Sequence, residues 1–336
     1  MRICVTGGSG VLGRAVVSDL LSRGIQVRVL DLKEPVVFRP TPSQFEYIRG
    51  SVLDYSALLE AVKECDAAVH LVAKLPQSHL DEQAFWDINV VGTMNLAHAC
   101  TASGVKRMVF ASTIEIYGAQ AISVPLAEDA EKLFTGHYSH NKWECEQKLL
   151  EHQSRFGLEV SFLRMPMIMG PGFYNEKSVI GMFNLLKRNL PMPLPAPDML
   201  VSFVSSSDCA QAFWLASTKP GAVGEAFNIA ALDTPTLTQF MKDLIDLAGS
   251  RSKTIVPPSK LVEIGLKAGK FVAKNTTGKL AGTPVELLDF VLTGGAYSIE
   301  KARSLLGYDP QFTCAQSWYQ TYKWYWEQHR SIRPGS

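Results

Sequence analysis

Tyr138 and Lys142 have the types and the spacing that proton transfer requires. A separation of four residues places both side chains on one face of a helix. An ammonium group beside a phenol favours the phenolate and lowers a pKa that is ordinarily about 10. A tyrosine tuned in this way can exchange a proton with a substrate hydroxyl near neutral pH. The spacing alone is common, so a helix tyrosine with a solvated lysine remains the alternative.

The hydroxyl groups of Ser112 and Thr113 follow a predicted strand at 107–111, and Glu115 lies two residues further on. Hydroxyls at the carboxyl end of a strand point into the expected crevice, and Thr113 is predicted to hold a substrate oxygen beside Tyr138. The alternative for Ser112 and Thr113 is a pair of turn hydroxyls that cap loop backbone. Glu115 is predicted either to bind a substrate hydroxyl or amine, to transfer a second proton, or to be an exposed loop acid.

A glycine-rich turn near the N-terminus follows a short apolar run. Gly7, Gly10 and Gly13 stand at GxxGxxG spacing, and an apolar-periodic segment begins at Val11 and Leu12. This order predicts a strand, a tight turn and a helix. Glycines there permit the turn, let a pyrophosphate approach the backbone and let the helix pack on its strand. The pattern therefore indicates a dinucleotide site.

Asp31 closes the second predicted strand, 25–30, and lies 18 residues after Gly13. A carboxylate at that distance is placed to accept hydrogen bonds from the adenosine ribose, and it repels a 2′-phosphate. NAD is therefore the expected cofactor. Lys33 and Arg39 are cations that could accommodate the extra phosphate, so NADP is the less favoured alternative.

The elements that position these groups alternate along the chain. Strands are predicted at 45–49, 67–71, 107–111 and 159–164, and helices at 56–64, 82–103 and 138–156. This alternation predicts an α/β fold, a doubly wound parallel (Rossmann) sheet with helices on both faces. A further strand at 226–229 is expected to return to the sheet. Asp208 is predicted as the N-cap of a helix that ends at 217.

The pattern breaks at Gly170, Pro171 and Gly172. We expect 1–168 and 199–231 to form the dinucleotide-binding domain, and 169–198 and 232–330 to form a smaller, mostly helical substrate lobe. That lobe would lie over the carboxyl ends of the strands, where open α/β sheets bind ligands. Residues 331–336 are predicted to be a frayed tail.

Composition excludes several classes of partner. A net charge of +1 gives no reason to expect nucleic acid, and no apolar run approaches the length of a membrane span. The chain enters a strand at once, so no targeting segment is expected and a cytoplasmic location is predicted. Six scattered cysteines show no metal-ligand spacing, which favours buried reduced thiols and no metal site.

Together these motifs resemble the extended short-chain dehydrogenase/reductase family, and within it the NAD-dependent epimerase/dehydratase group. The resemblance covers essentially the whole chain. It rests on Tyr138 with Lys142, on the acids Asp31 and Asp54, and on TGGSGVLG (6–13), HLVA (70–73), NVVGTMNLA (89–97), STIEIYG (112–118), RMPMIMGPG (164–172) and the spaced Val, Asp and Ala of 204–212. Ser51, Val72 and Met169 depart from the family pattern.

The resemblance implies hydride transfer at the nicotinamide, with Tyr138 as the acid/base and Lys142 also on the nicotinamide ribose. It further implies cofactor contacts for a wider set of positions. These are Leu53 and Asp54 at the adenine, Leu71 and Ala73 near the ribose and pyrophosphate, Pro166 and Met167 near the carboxamide, and Val11, Leu12 and Ser112 in the matched motifs.

The substrate stays open. The main expectation is an oxidoreductase for a secondary alcohol or ketone. A nucleotide-sugar epimerase and a non-catalytic dinucleotide-binding regulator are the alternatives. Sugar-nucleotide members usually carry second-lobe arginines that bind a diphosphate, and many have an Arg-Asp pair just before the strand that leads to Asp208. The stretch 200–204 has neither. Ile114 stands where dehydratases often have the first of two acids, which disfavours dehydration.

Two stretches near the end of the chain bear on the identity of the substrate. The stretch 297–310 resembles the 3β-hydroxysteroid dehydrogenase-like branch. Residues 261–292 are apolar and basic, as expected of a cover over an apolar substrate, a membrane-surface segment or an ordinary packing helix.

Helices 82–103 and 138–156 are the elements through which the family often forms homodimers, so a homodimer is expected.

Overall fold

The computed structural model describes residues 1–35, 43–75, 81–118, 125–134, 136–173, 177–258, 260 and 295–328. Its strands in chain order are β1 (Arg2–Thr6), β2 (Gln26–Asp31), β3 (Phe45–Arg49), β4 (Ala67–His70), β5 (Arg107–Thr113), β6 (Glu159–Met165), β7 (Met167–Met169), β8 (Met192–Pro193), β9 (Phe203–Ser205), β10 (Ala226–Asn228) and β11 (Thr254–Ile255). Its α-helices are α1 (Val11–Ser22), α2 (Tyr55–Val62), α3 (Glu82–Trp86), α4 (Gly92–Ala102), α5 (His137–Phe156), α6 (Lys177–Lys187), α7 (Ser206–Thr218), α8 (Leu237–Leu247) and α9 (Cys314–Gln328).

Seven strands form one parallel sheet in the order β3-β2-β1-β4-β5-β6-β10. The chain fills one side of β1 first and then crosses to β4 on the other side. The change of direction opens a crevice at the carboxyl ends of β1 and β4, where such sheets bind ligands. The predicted Rossmann sheet is confirmed, and so is the return of 226–228 to it.

Alternating side chains place one apolar cluster on each face of this sheet. Ile3 and Val5 pack on one face with α1 and α7, and Cys4 packs on the other with α2, α4 and α5. The sheet is therefore covered on both sides, as its nearly continuous apolar strands require.

A third apolar cluster lies outside the sheet. It joins α6, α8 and α9 to residues 192–203, and Trp318 at its centre packs edge-on against Phe203 and Phe240. Phe183 and Tyr322 extend it. Most of this cluster comes from 169–198 and 232–330, which we assigned to the substrate lobe, but Val201, Phe203 and Ala231 come from 199–231, which we assigned to the dinucleotide-binding domain. The division into two domains stays a prediction.

Three expectations need comment. The long helix at 82–103 is one helical run from 82 to 102, but a π-helical turn at Asp87–Val91 interrupts it. The expectation that Asp208 caps a helix is wrong, because Ser205 caps α7 through its hydroxyl. The segment 261–292 and the tail 331–336 lie outside the described residues.

Two features are absent from the described residues. No described helix is long and apolar enough to cross a bilayer. No group of three or more potential metal-ligating side chains occurs among the described residues. All six cysteines are free and buried, as expected.

Candidate functional site

The glycine turn between β1 and α1 is packed so tightly that side chains are excluded from it. Gly7 has φ +81°, and a Cβ there would lie 3.0 Å from the backbone nitrogen of Val72. A Cβ on Gly13 would lie 2.2 Å from the Gly7 carbonyl oxygen. At Gly10, by contrast, the nearest atom would be 3.6 Å away. Gly8 is as crowded, since its Cβ would lie 2.6 Å from a Val29 methyl group, so of the motif's glycines only Gly10 could carry a Cβ at ordinary van der Waals distance.

Gly10 also occupies the N-cap position of α1, where it has no side chain that could cap the helix. It offers no side-chain hydrogen bond, and the first turn, which is fully described, carries no acidic residue. Backbone N–H groups at this helix end are therefore available to an anion. These features fit a dinucleotide pyrophosphate.

Asp31 lies next to this turn, at the end of β2. Its carboxylate accepts hydrogen bonds from the backbone N–H groups of Ser9 at 2.9 Å and Lys33 at 3.2 Å. Gly7 in turn donates to the Leu30 carbonyl at 3.0 Å. The acid and the glycine turn are thus fixed to each other, as a ribose and pyrophosphate site requires.

Lys142 is buried and lies one helical turn after Tyr138 in α5. Its Nζ donates to the Ala111 carbonyl at 2.6 Å, lies 4.5 Å from the centre of the Phe110 ring and lies 5.9 Å from the centre of the Tyr138 ring. Burial lowers the pKa of Lys142 to about 8, partly opposed by Cys145, Glu146 and Glu115. The structure therefore brings the predicted pair together.

The pKa of Tyr138 differs from our expectation. Burial raises it, and Glu115 and Cys145 add to the increase. Lys142 is charged at neutral pH, but its effect does not reverse the desolvation of the phenol. In the chain by itself, the lowered phenol pKa that the spacing predicts is not found.

Thr113 and Glu115 occupy the turn at the end of β5. The Thr113 side chain is buried, and its Oγ1 accepts from the Glu115 backbone N–H at 3.2 Å, which caps the 3₁₀ turn Ile114–Tyr117. Glu115 is accessible to solvent, yet desolvation still raises its carboxyl pKa while Lys142 opposes the rise. Thr113 thus has a backbone-capping role in addition to any role in catalysis.

A buried chain of hydrogen bonds connects β1, β4 and the π-helical turn. Thr93 donates to the Asn89 carbonyl at 2.5 Å, and the two ring nitrogens of His70 meet Thr93 at 3.0 Å and Thr6 at 2.6 Å. Since the carbonyl can only accept, His70 donates from Nε2 and accepts the Thr6 hydroxyl at Nδ1. Burial and Lys142 lower the His70 pKa to about 3, so the ring is neutral.

Asn89 also fixes the loop after β4. Its side-chain oxygen accepts from the Lys74 N–H at 2.7 Å, and its amide donates to the Lys74 carbonyl at 3.1 Å. This loop contains Leu71 and Ala73, which are half-buried and predicted to face the cofactor. The sequence analysis included Asn89 only as part of the motif 89–97. A polar side chain on an otherwise apolar helix face was the one feature of the sequence that could have indicated its structural role.

A second buried network lies at the ends of β5, β6 and β10. Arg164 makes an ion pair with Glu146 at 2.6 Å, and Glu146 accepts the Ser112 hydroxyl at 2.5 Å. Arg164 also donates to the Tyr117 hydroxyl at 2.9 Å, and Tyr117 donates to Asn228 at 2.7 Å. The Ser112 hydroxyl is thus committed to α5, and its predicted contact with the cofactor remains a prediction. Sequence reasoning gave Glu146 no role.

The remaining predicted cofactor residues lie around the same edge of the sheet. The Asp54 carboxylate caps α2 by accepting from the Ser56 and Ala57 N–H groups, and Leu53 beside it is exposed. Pro166 is buried and Met167 half-buried between β6 and β7. Their cofactor roles stay predictions.

Comparison with known proteins identifies the class. The NAD dependent epimerase/dehydratase family matches residues 3–230. The chain therefore belongs to this NAD-dependent family, and the resemblance inferred from its motifs is confirmed.

Individual relatives match most of the chain. The uncharacterized protein y4nG of Sinorhizobium fredii is 30% identical over 98% of this chain and 80% of its own length. The mouse dTDP-D-glucose 4,6-dehydratase is 27% identical over 73% of this chain and 72% of its own. The solved UDP-glucose 4-epimerase of Thermotoga maritima, with UDP-glucose, superposes with a TM-score of 0.75 at 20% identity, covering 98% of this chain and 99% of the other. At that identity the last likeness shows the fold alone.

Proposed function

We propose that the protein catalyses NAD-dependent hydride transfer at a secondary alcohol or ketone carbon, with Tyr138 as the acid/base. The observation that supports this most is the buried Lys142, 5.9 Å from the Tyr138 ring and anchored on the Ala111 carbonyl, beside the end of β5. Bound NAD supplies the hydride acceptor or donor and, when oxidised, a positive ring.

Tyr138, Thr113 and Lys142 have separate roles in this proposal. Tyr138 exchanges a proton with the substrate oxygen, and Thr113 orients that oxygen. Lys142 stays cationic at neutral pH, since its pKa is about 8, and it stabilises the phenolate. The high phenol pKa of the chain alone means that proton release from Tyr138 requires additional positive charge in the site, which the oxidised cofactor carries.

The test is the variant Tyr138→Phe, which removes the phenol oxygen and keeps the ring. With a panel of secondary alcohols, we expect NADH formation to fall at least ~10²-fold while NAD affinity stays within twofold. Tyr319→Phe, a half-buried tyrosine of the third cluster, is the matched control. Unchanged turnover in the Tyr138 variant would remove the phenol from the mechanism. A wild-type protein that binds NAD but turns over none of the substrates would instead favour the non-catalytic regulator.

A second candidate is nucleotide-sugar chemistry, in which the hydride returns to the same molecule. The mouse relative acts in that class by its name, and Glu115 gives the site an acid two residues after Thr113. Residues 200–204, which precede and enter β9, carry no arginine for a diphosphate, which counts against it. Incubation with UDP-glucose separates the two: isomerisation without net NADH supports the sugar reading, and net NADH from simple alcohols supports the first.

Assembly, location and lobe structure are further proposals. We infer a homodimer through the 82–102 and 137–156 helices, a cytoplasmic location, and a substrate lobe built on the third apolar cluster.

A further inference from the structure

A buried tyrosine at the start of the stretch 297–310 packs against the turn that follows β5. Tyr297 is 3% exposed, and its ring stacks on Tyr117 with centroids 5.7 Å apart and planes 28° apart. Tyr117 belongs to the same 3₁₀ turn as Glu115, so the stacking brings Tyr297 to the end of β5.

The Tyr297 backbone is held rigidly. It forms a parallel bridge with Leu126, and on either side Leu126 donates to the Ala296 carbonyl at 2.8 Å and Ser298 donates to the Leu126 carbonyl at 2.8 Å. Asn228 in turn donates to that same Leu126 carbonyl at 3.1 Å, which ties the bridge to β10. The ring therefore has a fixed position relative to the sheet.

The hydroxyl of Tyr297 is unused. Within the part of the chain that the structure describes, it has no hydrogen-bond partner, and it is not one of the polar atoms sealed from solvent. A buried phenol normally pairs its hydroxyl, because an unpaired one loses the hydrogen bonds that water provided. A phenol oxygen that is unpaired and not sealed from solvent is available to a ligand.

Glu115 is the charged residue of the 3₁₀ turn whose Tyr117 ring stacks on Tyr297. Burial raises the pKa of both Tyr297 and Tyr138, and Glu115 adds to the increase in each. The carboxylate can only accept hydrogen bonds when ionised, whereas a neutral phenol both donates and accepts. A substrate hydroxyl that donates to the carboxylate and accepts from the phenol satisfies both groups.

We propose that Glu115 and Tyr297 form a second polar clamp, which holds a hydroxyl next to the carbon at which hydride is transferred. This inference rests on the proposed function for the location of the reacting carbon. With Thr113 and Tyr138 on one oxygen and this clamp on its neighbour, the site selects a vicinal diol over an isolated secondary alcohol. Glu115 and Tyr297 are specificity residues, and Tyr138 remains the acid/base.

Calorimetric titration of the NAD-loaded protein tests the clamp without requiring turnover. The probes are two matched pairs, trans-1,2-cyclohexanediol with cyclohexanol and UDP-glucose with its 3-deoxy analogue. We expect the diol to bind about 10-fold tighter in at least one pair, as one hydrogen bond to a charged group provides. Glu115→Gln and Tyr297→Phe should each reduce this ratio at least about threefold. The phenylalanine keeps the stacking on Tyr117.

Controls separate this proposal from structural damage and from the proposed function. Glu151→Gln, at an exposed acid paired with Arg155, and Tyr319→Phe should keep the full diol preference. Tyr138→Phe should also keep it while losing NADH formation, so a failure of hydride transfer leaves the clamp intact. No diol preference in the wild type, or a preference that survives in either clamp variant, would overturn the inference.

Discussion

At the scale of single residues, Thr113 illustrates how one hydroxyl is shared between fold and chemistry. Its oxygen accepts from the Glu115 N–H and so caps the turn that carries both Glu115 and Tyr117. An oxygen that accepts from the backbone still has its proton to donate. That proton is free to meet a substrate oxygen, so the two roles are compatible.

Thr113→Val should therefore lower kcat/KM about 10²-fold, the loss typical of one catalytic hydrogen-bond donor. It should also destabilise the protein by about 1 kcal/mol through the lost cap. Thr113→Ser keeps both functions, and we expect it to retain most of the activity and stability. Steady-state kinetics with denaturant unfolding of both variants checks this. Equal activity of the valine and serine variants would contradict a catalytic role.

Asp31 should govern the choice between NAD and NADP. Asp31→Asn keeps an oxygen for the Ser9 N–H but removes the charge that repels a 2′-phosphate. We expect the NAD preference, measured as the ratio of the two dissociation constants, to fall about 10-fold. Asp19→Asn, on α1 and paired with Arg23 at 2.7 Å, should leave the ratio unchanged. An unaltered ratio for Asp31→Asn would show that selectivity resides elsewhere.

Residue types and spacing were sufficient to place Tyr138 and Lys142 together, because i,i+4 geometry is local. They were insufficient for the phenol pKa, which depends on how much protein surrounds the ring and on Glu115. Tyr297 could not be assigned from its local sequence either, since its contact with Tyr117 joins residues far apart in the chain.

At the scale of elements, the β1–α1 unit separates packing from binding. Gly13 faces the Gly7 carbonyl so closely that any Cβ would overlap it. A Cβ on Gly10 would instead make an ordinary van der Waals contact at 3.6 Å, and Gly10 has ordinary backbone angles, φ −70° and ψ 174°. The three glycines of one motif are therefore conformationally different. The sequence pattern alone could not distinguish them.

Gly13→Ala should accordingly lower the free energy of unfolding by roughly 2–4 kcal/mol and abolish NAD binding. Gly10→Ala should fold normally, within about 0.5 kcal/mol of the wild type. Its methyl group would stand where the pyrophosphate approaches the helix, so we expect about 10-fold weaker NAD binding. Denaturant unfolding and calorimetric titration of both variants provide the measurement, and wild-type affinity in Gly10→Ala would place the pyrophosphate elsewhere.

Periodicity predicted the strands of the seven-stranded sheet and most helices, because each buries a regular stripe against its neighbours. It did not predict the short strands β7, β8 and β11. It did not reveal the π-helical turn at Asp87–Val91, whose extra residue is accommodated through side-chain bonds to the Asn89 carbonyl from Thr93 and Cys145. It also misassigned the start of α7. Asp208 is a common capping residue, but its carboxylate instead binds a distant segment of the chain.

At the scale of the whole molecule, that contact joins the sheet domain to the third apolar cluster. Asp208 on α7 accepts from the N–H groups of Gln311 at 2.9 Å and Phe312 at 3.3 Å, immediately before α9 begins. Phe312 also accepts at its carbonyl from the Leu232 N–H at 3.0 Å, which leads to α8. A single buried carboxyl is thus at the junction between the two parts of the fold.

The charge on this carboxyl should make the stability of the protein depend on pH. Burial raises the pKa of Asp208 to about 6, against 3.8 as its ordinary value, although the two N–H groups oppose the rise. The folded state therefore binds more protons than the unfolded state between pH 3.8 and about 6, so this group's contribution to stability falls as pH rises through that window. The loss amounts to at most about 3 kcal/mol and is constant above the folded pKa.

Asp208→Asn cannot titrate. The unfolding free energy of the wild type minus that of the variant should therefore fall as pH rises across this window and then stay level. Urea unfolding of both proteins at several pH values measures the difference, and Asp246→Asn, at an exposed acid of α8, is the control. A difference that does not change with pH would mean that Asp208 is already ionised in the folded protein at the acid end of the window.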